Sequence, residues 1–135
     1  MKYLFILSIL GLFSLAACGE GGDATSDATS NDIEAATAFI QAALKGKYDR
    51  AADFMLHDSQ NDERLDAVSR MQLSSDEKQG LWDASIRIHS RQLINDSTSI
   101  IVYSNSFHTE NRDTLKVVKS DGKWLVDFKY LFDHE

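Results

Sequence analysis

Apolar and polar positions divide the chain into stretches of different period. Residues 3–15 form an uncharged apolar run, whereas residues 19–30 hold only glycine, alanine, serine, threonine and acidic side chains, with nothing that seeds a core. From Ile33 onward apolar residues recur every three or four positions, the helical period. From Ser85 onward they alternate, the strand period.

Asn31-Asp32-Ile33-Glu34 offers a cap oxygen with Glu three residues on, a helix-start pattern that satisfies orphan amide donors. Ile33, Ala36, Ile40 and Leu44, with Phe39 and Ala43 beside them, make one apolar face, and Gly46 supplies a stop. Asp49 reads as the cap of a shorter second helix carrying Ala51, Ala52, Phe54, Met55 and Leu56. Residues 57–63 read as a polar, exposed connection. A third helix over 62–72 places Leu65, Val68 and Met71 on one side, and a fourth starts at Ser74, with Glu77 in the capping-box position, and runs toward Leu81 and Trp82.

In the second half Asp121-Gly122 separates strands predicted over 114–120 and 123–130, and Asp-Gly suits a two-residue type I′ turn because both central residues take positive φ. With Ser120 opposite Lys123, Val117 faces Val126 and Leu115 faces Phe128, with Trp124 on the same side. Lys116 then lies opposite Asp127 on the other face, and a one-residue slip destroys both matches. Residues 85–94 and 97–107 form another hairpin. A three-residue turn, Asn95-Asp96-Ser97, sets Ser90 against Val102 and Gln92 against Ile100 and keeps Ile86, Ile88, Ile100 and Val102 on one face. The polar connection over 108–113 is where a bulge is expected. Helices followed by a four-stranded antiparallel meander imply an α+β fold, the helices packed on one face of a curved sheet.

Two stretches then carry a resemblance. Ala42-Ala-Leu-Lys-Gly-Lys-Tyr-Asp-Arg-Ala-Ala-Asp-Phe-Met-Leu56, together with the late Asp121-Gly122-Lys123-Trp124-Leu125-Val126 hairpin, resembles the small bacterial lipoproteins of unknown function with a nuclear-transport-factor-2-like (cystatin-like) domain. The resemblance implies a cone between helices and sheet. In enzymes of that fold, such as ketosteroid isomerases and dehydratases, a buried carboxylate or histidine works there beside a Tyr or protonated acid.

The apolar run at the N-terminus fits a secretory leader and is too short to span a bilayer, which takes about 20 apolar residues. Leu15-Ala16-Ala17-Cys18, which holds the chain's one cysteine, resembles the lipobox of bacterial lipoproteins. That resemblance implies cleavage before Cys18 and attachment of palmitate-type acyl chains there. One chain binds a membrane marginally and two or more hold firmly, at about 0.8 kcal/mol per buried methylene. The chain thus divides into a signal peptide (1–17), a lipidated cysteine with a flexible tether (18–31) and one α+β domain (32–135). Gly19 after the cysteine implies, by the same resemblance, the outer membrane of a cell envelope.

A formal charge of −7 over 135 residues argues against nucleic acid and against electrostatic attraction to anionic lipid, leaving acyl chains as the attachment. His57, His89, His108 and His134 are scattered without metal-ligand spacing, and neither a Gly-x-Ser-x-Gly elbow nor a phosphate loop occurs. No catalytic residue, metal site or cofactor is assigned. Were the cone catalytic, Asp83, His89 and Tyr103 would be the groups to consider, although His89 alternates with Ile86 and Ile88 and so is expected to point outward. Tyr48, Trp82, Tyr103, Trp124 and Tyr130 are the residues expected to line a ligand pocket. The expected role is a non-catalytic binding module for a small apolar ligand, a peptide or an envelope protein, with a homodimer through the sheet face as a further expectation. The alternative is a small isomerase- or dehydratase-like enzyme.

Overall fold

The first helix begins and ends where its caps put it. The computed structural model of the chain describes residues 28–133, and in these α1 spans Asp32–Leu44. The Asn31 side chain accepts from the Glu34 amide at 2.8 Å, and the Glu34 carboxylate takes the Ser30 hydroxyl. At the other end Gly46 adopts φ 68°, its amide bonding Ala43 O while the Lys47 amide bonds Ala42 O. That double bond is a Schellman turn, and it satisfies carbonyls the helix leaves open.

The turn also sets the start of α2 (Tyr48–Ala52), with Lys47 in the cap position and no side-chain cap. The expected cap Asp49 instead sits inside the first turn, because the Schellman geometry has already delivered the chain to helical dihedrals at Tyr48. Next, α3 (Ser59–Ser69) starts three residues earlier than its apolar pattern suggests: the Asp58 carboxylate accepts from the Asn61 amide at 2.7 Å. The stretch 57–63 is therefore mostly the start of a helix rather than a connection; it is exposed as expected except at half-buried Asp58 and at Asn61, which is fully buried. Helix α4 (Ser75–Trp82) is capped as predicted, Ser74 Oγ accepting from the Glu77 amide and donating to its carboxylate.

Four strands follow, β1 (Ile86–Asn95), β2 (Thr98–Asn105), β3 (Asp113–Ser120) and β4 (Lys123–Asp127), in an antiparallel meander ordered β1-β2-β3-β4. The last hairpin has the predicted register, Ser120 to Lys123, Val117 to Val126 and Lys116 to Asp127. Asp121 and Gly122 both take positive φ, 50° and 77°. The expected Leu115–Phe128 pair does not form. The strand ends at Asp127, and Phe128 opens a 3-10 helix (Phe128–Phe132), packing its ring against Phe39 and Phe132 with centroids 5.1 and 5.0 Å away.

The first hairpin reaches the expected pairs, Ser90 with Val102 and Gln92 with Ile100, by another device. Asn95 pairs with Thr98 across a two-residue turn, and a bulge between Leu93 and Asn95 restores the register. A second bulge at His89 then reverses the faces, so that Ile88 lies opposite Tyr103, and Ile86 and Ile88 do not share a face with Ile100 and Val102. The inner face of β2 is Ser99, Ile101 and Tyr103. No bulge occurs between β2 and β3, whose ladder runs regularly from Thr98–Val118 to Tyr103–Asp113.

Helix α1 crosses the inner face of the sheet, and Ala36, Phe39 and Ile40 meet Ile101, Leu115, Val117 and Val126 in the core. The segment after α2 seals the β4 edge, the Val126 amide bonding Phe54 O and the Leu56 amide bonding Val126 O, both at 2.8 Å. Thr29 O accepts from the Trp124 amide, so residues 28–31, expected in the tether, lie against the domain.

Candidate functional site

The C-terminal half of α1 packs on α2 but not closely on α4. None of the residues of α4 is buried, and between α4, α1, the connection 70–74 and the 3-10 helix lies a cleft with two continuous lobes. The inner lobe, about 300 Å³, is walled by apolar side chains including Phe39, Ile40, Val68, Phe128 and Phe132, with Tyr103, Asn105 and Asp113 at the sheet. The outer lobe, about 420 Å³, adds Lys45, Ser69, Lys78 and Trp82. Ala43, Leu44, Tyr48, Met71, Leu73 and Leu81 border both lobes. Volumes of this order suit a small organic ligand.

Of the residues expected to line a pocket, Tyr48 borders both lobes, Tyr103 the inner one and Trp82 the outer one. Trp124 and Tyr130 line neither: Trp124 is buried in the core beside Thr29, and Tyr130 lies on the 3-10 helix with the Lys116 ammonium 5.8 Å from its ring. Cys18 lies outside the described residues.

These placements follow from local structure. The register that sets Tyr103 opposite Asp113 points the phenol inward at the end of the sheet. Burial, and then the negative charge of Asp113, push the Tyr103 hydroxyl well above its ordinary range. Burial does the same to Tyr48. Both rings are therefore neutral phenols with a hydroxyl proton able to be donated.

No protein-family model matches the chain, and no curated protein does. The chain is similar to a crystal structure of an NTF-2 like protein of unknown function from Shewanella oneidensis MR-1, with 16% sequence identity, over 70% of this chain and 89% of that one, at a TM-score of 0.50. The fold is nuclear-transport-factor-2-like. At that identity the likeness concerns architecture alone.

The ionisable groups considered for chemistry are not brought to Tyr103. Asp83 caps the end of α4, exposed, and accepts from Gln79 Nε2 at 2.8 Å. His89, carried by the bulge, shares a 2.7 Å hydrogen bond with Ser104 Oγ on the opposite side of the sheet. Its partial burial there, then the charges of Arg112 and Arg87, lower its pKa. The carboxylate beside Tyr103 is Asp113, which sequence reading missed because it stands in a polar connection with no period to give its direction. Lys45 and Lys78 were missed likewise. Among the described residues no cluster of three potential metal ligands occurs.

Proposed function

We propose that this chain is a lipid-anchored envelope protein whose nuclear-transport-factor-2-like domain binds a small apolar molecule in the cleft. The observation that carries the binding role is the apolar inner lobe, left unfilled by the domain's own side chains and bordered by the Tyr48 and Tyr103 phenols. Attachment rests on the lipobox at Leu15-Ala16-Ala17-Cys18, with Gly19 supporting the outer membrane. The geometry suits a tethered binder. Thr29 joins the domain at the β3–β4 hairpin end, while the cleft lies around the far end of α1, a helix of 13 residues and so about 20 Å long. The cleft then lies at the opposite end of α1 from the side on which the proposed tether would join the domain.

A second reading, a small isomerase- or dehydratase-like enzyme, is favoured by one observation, the Tyr103–Asp113 pair on the cleft wall. It supplies a donor beside a carboxylate, the pairing that proton transfer requires.

Cys18→Ser tests the anchor. In the native host the variant is expected in soluble fractions while the parent chain sediments with membranes, its intact mass showing loss of residues 1–17 and gain of acyl groups. Equal sedimentation of both chains would end this part of the proposal.

A further inference from the structure

The cleft is not apolar throughout, and its polarity is uneven. Asp113 is the one charged residue lining the inner lobe, at the sheet, whereas the charged residues lining the outer lobe are both lysines, Lys45 and Lys78. A third lysine, Lys47, stands beside them: Lys45 and Lys47 place their ammonium groups 5.3 and 5.2 Å from the Trp82 ring. Among the described residues none of the three lysines forms an ion pair. Of the acidic residues of α4 and its C-cap, Asp76, Glu77 and Asp83, none lines either lobe. In a chain of net charge −7, three lysines without an ion pair thus stand together at one lobe of the cleft, where an anion can pair with them.

We infer that the cleft selects single-chain anionic amphiphiles, the acyl tail lying in the inner lobe and the anionic head at Lys45 and Lys78. This rests on the proposed binding role of the cleft and names its ligand class. The apolar lobe recognises the tail without direction, through burial of its surface. The lysines supply the direction. An ammonium over an indole face is held weakly where the site is exposed, so an incoming carboxylate or phosphate draws Lys45 from Trp82 at little cost. Trp82 is 45% exposed, so its emission reports that exchange.

The test uses the chain from residue 18 onward, which contains every described element, carrying Cys18→Ser to prevent acylation. Calorimetric titrations, below the concentration at which each amphiphile forms micelles, compare dodecanoate, dodecyl phosphate, dodecanol and dodecyltrimethylammonium. The inference predicts that an anion binds at least tenfold tighter than dodecanol, and the cation weaker still. Tighter dodecanoate identifies free fatty acid as the source, and tighter dodecyl phosphate a phospholipid-derived one. In Lys45→Glu/Lys78→Glu the ratio of anion to dodecanol affinity is expected to fall to about one or below, and in Lys45→Arg/Lys78→Arg it is expected to stay at about tenfold or more. Dodecanol binding as tight as the anions, or an anion preference that survives the charge reversal, would overturn the inference and leave the apolar cleft standing. Binding of none of the four would remove both.

Discussion

Asn61→Ala is expected to destabilise the domain by about 3 kcal/mol, because it leaves buried polar groups without partners as well as opening a cavity. Asn61 is fully buried on the first turn of α3. Its Nδ2 donates to Asp127 at 3.0 Å and to Asp58 at 3.2 Å, and its Oδ1 accepts from the Lys129 backbone amide at 2.7 Å. One side chain thereby joins a helix to the point where β4 becomes the 3-10 helix. The Lys129 ammonium closes the ring, reaching both Asp58 and Asp127, and those contacts hold its pKa up, the Asp127 bond most strongly. Alanine strands the Lys129 amide and half of the Asp127 hydrogen bonding together. For a domain of this size the corresponding fall in melting temperature is on the order of 15 °C. Calorimetric melting decides it, and a loss under about 1 kcal/mol would mean the network contributes little beyond an ordinary pair of exposed hydrogen bonds.

Arg91→Ala is expected to cost about 2–3 kcal/mol at neutral pH, below the full range for breaking a buried pair because the arginine is 43% exposed. Asp32 is only 1% exposed, and Arg91 clasps it twice, Nε at 2.6 Å and Nη2 at 2.9 Å. Burial pushes the Asp32 carboxyl up, but the bonds and charge of Arg91, with help from the Ile33 amide, outweigh it and hold the pKa below the ordinary 3.8. A depressed carboxylate contributes stability above its unfolded value and loses it as pH falls through the folded one. The parent chain should therefore lose this contribution only below about pH 4. In the variant the sign reverses: burial, opposed mainly by the Ile33 amide, raises the carboxyl, and acid relieves the strain by protonating it. The gap in melting temperature between parent and variant should narrow as pH falls from 7 toward 4. A gap independent of pH would show that Arg91 acts through packing of its stem rather than through Asp32.

Much of the architecture was legible because it depended on local rules. The Asp121-Gly122 turn has few conformations open to it, and the Lys116–Asp127 and Val117–Val126 matches then follow from counting. Caps at Asn31 and Ser74 and the stop at Gly46 are equally local. What escaped was decided by partners far along the chain. Asn61 reads as a polar helix-start residue, and only Asp127 and Lys129, more than sixty positions later, explain its burial. The bulge at His89 leaves no mark in a pattern of alternating residues, yet it moves Ile86 and Ile88 to the other face from Ile100 and Val102 and carries His89 to Ser104.

The site divided in the same way. Tyr48, Tyr103 and Trp82 reached the cleft, while Trp124 went to the core because it faces inward at the hairpin end, far from the cone mouth. The lysines of the outer lobe were invisible, since an exposed lysine, whether beside a glycine turn like Lys45 or on a helix like Lys78, belongs to no apolar period and no motif.

The binding role of the cone is tested most directly by titrating dodecanol into the same isotope-labelled chain, residue 18 onward with Cys18→Ser, and mapping the amide and methyl signals that move. The account predicts saturable shifts confined to the cleft, at Ile40, Leu44, Val68, Leu81 and Tyr103. Shifts centred on the outer sheet face at Ile100 and Val102, or none that saturate, would contradict it.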